Sequence, residues 1–359
     1  MFSRETNMPY SADQMCSPAD IRFFQDDETG LDAVIVLHST ALGPAAGGCR
    51  LWSYADRQAQ VSDACRLAEG MSYKNALAGL PLGGGKAVVR RSAGPVDRAA
   101  LFRAFGRAVA SLGGSYVTAE DVGTTVADMA AVRGETWHVA GLPQNDGRPG
   151  GDPSPWTARG VFVAMQLAAE RRLGRGLGEC TVAVQGVGQV GAALARMLHK
   201  AGAELIIADV NGEAAARVAV ETGAAIASVD SILGAEADIL APCALGGVIN
   251  HATVGKLRAK LVCGAANNQL AESADGDRLA DRNILYAPDY VVNAGGIINV
   301  AAEYLGWSAA EALERVEATA GRLGGVLDYA TSRGVAPHDA ADRLARELIA
   351  AGANLRAAA

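Results

Sequence analysis

Apolar residues along the chain alternate between two spacings. Ala33-Val34-Ile35-Val36-Leu37-His38 is an unbroken apolar run of strand length and predicts a buried strand. Residues 60–70 then place Val61, Ala64, Cys65, Leu67 and Ala68 at helical spacing. Lys86-Ala87-Val88-Val89 predicts a short strand, and residues 97–112 a helix closed by Gly113-Gly114. Tyr116-Val117-Thr118 predicts a strand running into Ala119-Glu120-Asp121. A long helix is expected over residues 156–171, with Val161, Met165, Leu167 and Ala168 among its apolar positions. A second strand–helix–strand unit follows: residues 181–185, 190–201 and 204–208. Long Ala- and Leu-rich helices are expected over 309–330 and 338–351. In the last of these, Ala341, Leu344, Ala345 and Leu348 form a stripe that must dock, and packing back onto the first domain is the expected solution. Strands alternating with helices predict an α/β fold.

One stretch breaks this rhythm. Residues 141–155 hold Gly141, Pro143, Asn145, Asp146, Gly147, Pro149, Gly150, Gly151, Asp152, Pro153 and Pro155, a composition unable to carry regular structure. It is expected to be an inter-domain crossing and a hinge. The chain has 359 residues, enough for two domains of ordinary size. The expected division is a catalytic and oligomerisation domain over 1–140, completed by 331–359, and a dinucleotide-binding domain over 141–330. Half of the residues are hydrophobic, which suits large cores. The net charge of −7 argues against nucleic acid, whose phosphates demand a basic face. No apolar run reaches the roughly 18 residues that span a bilayer, so no membrane partner is expected. Residues 1–14 lack the basic-then-apolar order of a signal peptide. The cysteines (Cys16, Cys49, Cys65, Cys180, Cys243, Cys263) form no CxxC pair and suit buried thiols in a reducing cytoplasm. The five histidines show no ligand spacing, so no metal is expected, and each reads as a surface or satisfied core residue.

Two segments carry candidate chemistry. Lys74 and Lys86 flank a stretch that ends in Gly83-Gly84-Gly85, read as a glycine-rich turn. A lysine beside apolar residues and a second cation can serve as a general base, and the glycines would let backbone approach a ligand. By itself the segment fits equally a plain turn with solvated lysines. Downstream, Gly186-Val187-Gly188-Gln189-Val190-Gly191 stands between a strand and a helix, and the next strand closes on Asp209. This is the full context of a dinucleotide fingerprint: a tight turn, amides meeting a pyrophosphate at a helix N-terminus, close helix–strand packing, and an acid for the ribose. Asp209 would repel a 2′-phosphate and so favours NAD over NADP. Ala241-Pro242-Cys243-Ala244 and Gly264-Ala265-Ala266-Asn267-Asn268 each follow a strand-like run and would leave the carboxyl ends of a parallel sheet.

The chain resembles the amino acid dehydrogenase family of glutamate, leucine, phenylalanine and valine dehydrogenases, nearest its leucine and phenylalanine branch. The likeness runs from about Phe24 to the last helix. It rests on Leu42-Gly43-Pro44-Ala45-Ala46-Gly47-Gly48-Cys49-Arg50, the two-lysine segment, Thr118-Ala119-Glu120-Asp121-Val122-Gly123-Thr124 and Gly151-Asp152-Pro153-Ser154-Pro155-Trp156-Thr157. The glycine fingerprint, the Ala-Pro-Cys-Ala and Ala-Asn-Asn segments and Pro288-Asp289-Tyr290-Val291-Val292-Asn293-Ala294-Gly295-Gly296 complete it. The resemblance implies a Rossmann-type NAD domain closing over a cleft beside the catalytic domain, and a homo-oligomer whose size the sequence leaves open. It implies that Lys74 binds the substrate α-carboxylate, that Lys86 is the base activating water, and that Asp121 exchanges a proton with the substrate amine. Asn268 would help to hold substrate beside the cofactor. Arg50, Thr157, Val210, Cys243, Ala244 and Ala266 would lie near the cofactor with the fingerprint and Asp209.

The reaction implied is reversible oxidative deamination of an L-amino acid to its 2-oxo acid and ammonia. Side-chain selectivity falls to Ala46, Gly47, Ala119, Ile297 and Val300. None of these can pair a carboxylate, and burying one unpaired is costly, which excludes glutamate. The Ala119–Thr124 and Ile297–Val300 segments look leucine-like, whereas alanine at position 46 enlarges the pocket and would admit a ring. The balance favours branched-chain substrates, with phenylalanine the alternative. A non-catalytic NAD-binding sensor is a more distant alternative, opposed by intact Lys74, Lys86 and Asp121.

Overall fold

The structure, a computed structural model, describes residues 20–92, 94–143 and 149–357. The expectations for residues 1–14 and Cys16, and for the 144–148 part of the crossing, lie outside the described residues. The chain divides into two compact units, 1–151 with 300–309 and 345–359, and 152–299 with 310–344.

The first unit is built on a mixed sheet. Its strands are β1 (Asp20–Asp26), β2 (Leu31–Ser39), β3 (Ala45–Ala46), β4 (Cys49–Trp52), β5 (Gly83–Arg90) and β6 (Tyr116–Val117). The order is β1-β2-β5-β3-β6, with β4 also on β5. β1–β2 and β2–β5 pair antiparallel; β3 and β4 run parallel to β5. Helix α1 (Arg57–Leu77) lies against one face, and α2 (Arg98–Ala110) and α3 (Val126–Arg133) belong to the other core. Capping starts each helix: Asp56, Asp97 and Thr125 accept from backbone amides of the first turn. The larger core gathers Ile35, Leu37, Phe102, Phe105, Tyr116 and Met129, all buried. Burial of each such large side chain contributes about 1.5–3 kcal/mol.

Two sequence expectations change here. The helix expected over 60–70 continues to Leu77, so Lys74 lies in its last turn rather than at the edge of a loop. Gly83, Gly84 and Gly85 are not a turn but the first residues of β5, paired with β2 and β3. Close approach explains them. A Cβ on Gly83 would lie 1.9 Å from the Ser39 carbonyl oxygen, and one on Gly84 2.1 Å from Ser72 N. The glycines let α1 and the neighbouring chain press directly on the strand.

The second unit holds a parallel sheet: β7 (Thr181–Gln185), β8 (Glu204–Ala208), β9 (Ala225–Ile226), β10 (Ile239–Pro242), β11 (Leu261–Val262) and β12 (Leu285–Tyr286). Its order is β12-β11-β10-β7-β8-β9. Strand order reverses between β7 and β10, the switch point at which a doubly wound sheet binds its ligand. The helices that follow along the chain are α4 (Ser154–Leu173), α5 (Gln189–Lys200), α6 (Gly212–Thr222), α7 (His251–Val254), α8 (Ser273–Asp281), α9 (Asp289–Val292), α10 (Gly295–Leu305), α11 (Ala309–Glu317), α12 (Thr319–Arg333) and α13 (Pro337–Ala357), of which α10 and α13 each divide between the two units.

The helix expected over 309–330 is thus two, α11 and α12, and no glycine or proline marks the break. Residues 141–151 belong to the first unit, because Glu303 accepts hydrogen bonds from Gly141 N (2.8 Å) and Leu142 N (3.1 Å). Residues 331–344, expected to complete the first domain, belong to the second; α13 joins the first unit only from Ala345. There Arg346 Nε donates to the Tyr73 hydroxyl at 2.9 Å, and Gly352 abuts Leu42. Ala341 and Ala345 are buried as expected, but Leu348 is 44% exposed. The helical period carries the covered line through Ile349 and Gly352 instead.

Candidate active site

Within the first unit, Lys86 and Asp121 meet. Lys86 projects from β5 and is 4% exposed. Its Nζ lies 2.9 Å from Asp121 Oδ2. Arg50, on β4, donates through Nε to the same oxygen at 3.0 Å and through Nη1 to Asp63 Oδ2 at 2.9 Å. Tyr54 OH donates to Asp63 at 2.6 Å. Burial pushes the Asp121 carboxyl up, but Lys86 first and Arg50 second outweigh it and hold the carboxyl below its usual range. Asp121 is therefore a carboxylate held between the Lys86 and Arg50 side chains.

Backbone packing fixes this spacing. Thr124 Oγ1 accepts from Asp121 N at 2.9 Å and lies 3.0 Å from the Cys49 carbonyl, tying the Asp121 loop to β4. A Cβ on Gly47 would fall 1.8 Å from the Gly85 carbonyl oxygen, and one on Gly48 2.4 Å from that of Glu120. Tyr116 OH donates to the Gly47 carbonyl, and Asn75 Nδ2 to that of Gly83. Ala46 and Ala119, both buried, come from neighbouring segments: Gly47 N donates to Val117 O, and Cys49 N to Ala119 O. Lys74 stands half-buried in the last turn of α1. Val300, on α10, is half-buried and also belongs to the first unit.

The second unit carries the dinucleotide turn. Gly186 has φ +90°, and a Cβ on Gly191 would lie 2.0 Å from the Gly186 carbonyl oxygen. These two positions need glycine for turn and close packing. Gly188 differs: nothing lies within 4 Å of a Cβ built there, and as N-cap of α5 it supplies no side-chain cap. The first turn of α5 has no side-chain cap and the space beside Gly188 is open, the arrangement that accepts a phosphate. Asp209 Oδ2 accepts from Val187 N at 2.7 Å and Oδ1 from Asn211 N at 2.8 Å. That bracing leaves carboxylate lone pairs for ribose hydroxyls. Gln189 is exposed and Val190 half-buried in the first turn of α5, and Val210 is 91% exposed beside Asp209. The turn fits NAD.

Cys243 and Ala244 leave β10 at its carboxyl end, where Cys243 N donates to Gln185 O at 2.7 Å. Ala266 is buried after β11, and its N donates to Pro242 O. Asn268 adopts φ +52°, and its amide donates to Asp289. Thr157 Oγ1 donates to Pro153 O in the first turn of α4, and Gly295 packs its Cα on the Trp156 carbonyl. Ile297 is half-buried on α10. The structure thus brings Lys86, Asp121 and Arg50 together in one unit and the fingerprint, Asp209, Cys243, Ala244 and Ala266 at the switch point of the other. Arg50, expected beside the cofactor, is bonded to the Asp121 carboxylate. Sequence reading missed Asp63 and Tyr54; their only signal is a fold that carries α1 past β4.

Residues 18–138 match the family model for the Glu/Leu/Phe/Val dehydrogenase dimerisation domain, and residues 152–217 and 207–354 match that for Glutamate/Leucine/Phenylalanine/Valine dehydrogenase. Leucine dehydrogenase of Bacillus subtilis is 48% identical over 91% of this chain and 90% of its own length. Valine dehydrogenase of Streptomyces albus is 47% identical, covering 91% of this chain and 90% of its own. The crystal structure of L-tryptophan dehydrogenase from Nostoc punctiforme superposes with a TM-score of 0.82 at 38% identity, over 93% of this chain and 96% of that one. With two family models matching most of its length and relatives of this closeness along nearly all of it, the chain belongs to the Glu/Leu/Phe/Val dehydrogenase family.

Proposed function

We propose that the protein catalyses the reversible, NAD-dependent oxidative deamination of a branched-chain L-amino acid, leucine-like in preference, to its 2-oxo acid and ammonia. The observation that carries the reading is the pair of buried Lys86 and half-buried Asp121 at 2.9 Å, with Arg50 on the same oxygen. Bound NAD supplies the hydride acceptor. Lys74 holds the substrate carboxylate as a point charge. Lys86 Nζ passes a proton to the Asp121 carboxylate 2.9 Å away and then takes one from the water that attacks the substrate iminium; Asp121 delivers its proton to the departing nitrogen and then accepts the hydroxyl proton as the carbinolamine collapses. A short path joins the two groups, so a proton removed from water reaches the amine without crossing bulk solvent.

Ala46, Ala119, Ile297 and Val300 offer only apolar surface, which suits the names of the leucine and valine relatives. A second reading, an aromatic substrate, rests on the small Ala46 and on the likeness to a tryptophan dehydrogenase. One methylene shifts such preferences by about 1–3 kcal/mol, so a graded preference is expected. Residues 18–138 match a family model named for dimerisation, which supports a homo-oligomer. No helix among the described residues is long and apolar enough to cross a membrane.

The test is NADH formation at 340 nm with L-leucine, L-valine, L-isoleucine and L-phenylalanine. Leucine-type substrates should give the highest kcat/KM; a preference for phenylalanine would transfer the proposal to the second reading. Lys86→Ala should abolish turnover and spare NAD binding, while Lys74→Ala should mainly raise KM. An active Lys86→Ala enzyme would overturn the assigned base.

A further inference from the structure

His338 is the one histidine that contradicts the expectation of a surface or satisfied core residue. It sits at the start of α13, 7% exposed, and neither ring nitrogen has a hydrogen-bond partner. A buried polar group without a partner is costly unless something supplies one. The ring is wedged against α8: a Cβ on Gly276 would lie 2.3 Å from His338 Nδ1. That edge therefore abuts backbone, and Nε2 is the nitrogen turned towards charge. Asp277 Oδ1 lies 3.8 Å from Nε2, and Asp339 Oδ1 3.5 Å. One ligand atom from each residue lies within 4.8 Å of the others.

Those separations decide between two explanations. At 3.5 and 3.8 Å neither oxygen makes a hydrogen bond to the ring. Two ligands on one tetrahedral zinc-type ion, each about 2.0–2.2 Å from it, stand about 3.4 Å apart. The gap around Nε2 is thus close to that of an ion-binding edge. Asp339 alone needs no such explanation, because an acidic residue in the first turn of α13 is favoured by the helix dipole. The unbonded imidazole and the facing Asp277, from a different helix, do need one.

We propose that Asp277, His338 and Asp339 bind one divalent transition ion of the zinc class, with the imidazole Nε2 and two carboxylate oxygens as ligands and water completing the shell. An imidazole-containing N/O set selects such an ion over magnesium or calcium. The ion would join α8 to the first turn of α13. These three residues belong to the second unit, and the Lys86–Asp121 pair to the first.

The experiment uses the full-length, tag-free chain, stripped with chelator and titrated with Zn2+ by calorimetry, with metal content read by elemental analysis after dialysis. One zinc per chain and a raised Tm are expected. Asp277→Asn alters an exposed side chain and Asp339→Asn a half-buried one of nearly the same shape, so both should fold normally; each should weaken zinc binding at least tenfold. His338→Gln should abolish binding if it folds. Absence of stoichiometric zinc, or uptake unchanged in Asp277→Asn, would overturn the site and leave a simple His–Asp ion pair.

Discussion

Asp121→Asn tests the catalytic reading most directly, because it removes a charge while keeping nearly the same shape. Asp121 Oδ2 faces Lys86 Nζ at 2.9 Å and Arg50 Nε at 3.0 Å, and the three side chains are 24%, 6% and 20% exposed. An amide can still accept one of these hydrogen bonds but cannot neutralise two cations. Breaking a buried ion pair by removing one partner costs about 3–5 kcal/mol. Asp121 keeps some solvent, and Arg50 keeps Asp63 at 2.9 Å, so the low end applies, about 3 kcal/mol. For units of this size that lowers Tm by roughly 6–12 °C. Loss of the proton exchanger should lower kcat by about 10²–10⁴.

The sign of the pH dependence follows from the depressed Asp121 carboxyl. A carboxyl held below its unfolded value, about 3.9, contributes stability that is fully present above that value and is lost as pH falls through the lower folded value. The stability gap between wild type and Asp121→Asn should therefore be flat from pH 6 to 8, within the range set by about 3.9 and upward, and close only under acid conditions. Thermal denaturation across pH and NADH formation at 340 nm measure both arms. A variant within about 1 kcal/mol of wild type at pH 7, or one keeping kcat within about tenfold, would refute the paired-cation account.

Gly191→Ala forces a methyl to 2.0 Å from the Gly186 carbonyl and should lower Tm and NAD affinity together, whereas Gly188→Ala, with open space around it, should fold with unchanged Tm yet lose NAD affinity at least tenfold. Equal NAD affinity of Gly188→Ala and wild type in a fluorescence titration would place the pyrophosphate elsewhere. Asp63→Asn loosens Arg50 without touching substrate, so kcat should fall about ten- to a hundredfold with KM little changed, as expected of displaced catalytic geometry. Its acid limb in the kcat–pH profile should move upward, because Asp121 loses part of the Arg50 support; an unmoved limb with a lowered Tm would mean that Asp63 is only structural.

What the sequence made legible was local. The dinucleotide turn is contiguous, so strand, glycines, helix and Asp209 could be read in order, and the structure differs by a residue at most at the start and end of α5. Lys86 and Asp121 were legible by residue type and resemblance, but their mutual contact was not, because β5 and the segment after β6 meet only through the sheet. Asp63, Tyr54 and the Asp277–His338 pairing belong to the same class, set by which helices the fold lays side by side. The break between α11 and α12 left no mark, since apolar spacing continues through it.

The glycines explain how the Lys86–Asp121 geometry is set. Gly83, Gly84 and Gly85 were expected in a turn that meets a ligand, yet of these three with Gly47 and Gly48, four would place a Cβ within 2.4 Å of another atom of the chain itself. Their function is proximity: β3, β4, β5 and the Asp121 loop approach backbone to backbone, and the side chains above that floor inherit the spacing. The 2.9 Å between Lys86 and Asp121 is then a consequence of residues that carry no functional atom. A methyl on Gly48 would push against Glu120, the residue before Asp121, and so would act on proton transfer while leaving every catalytic group in the chain.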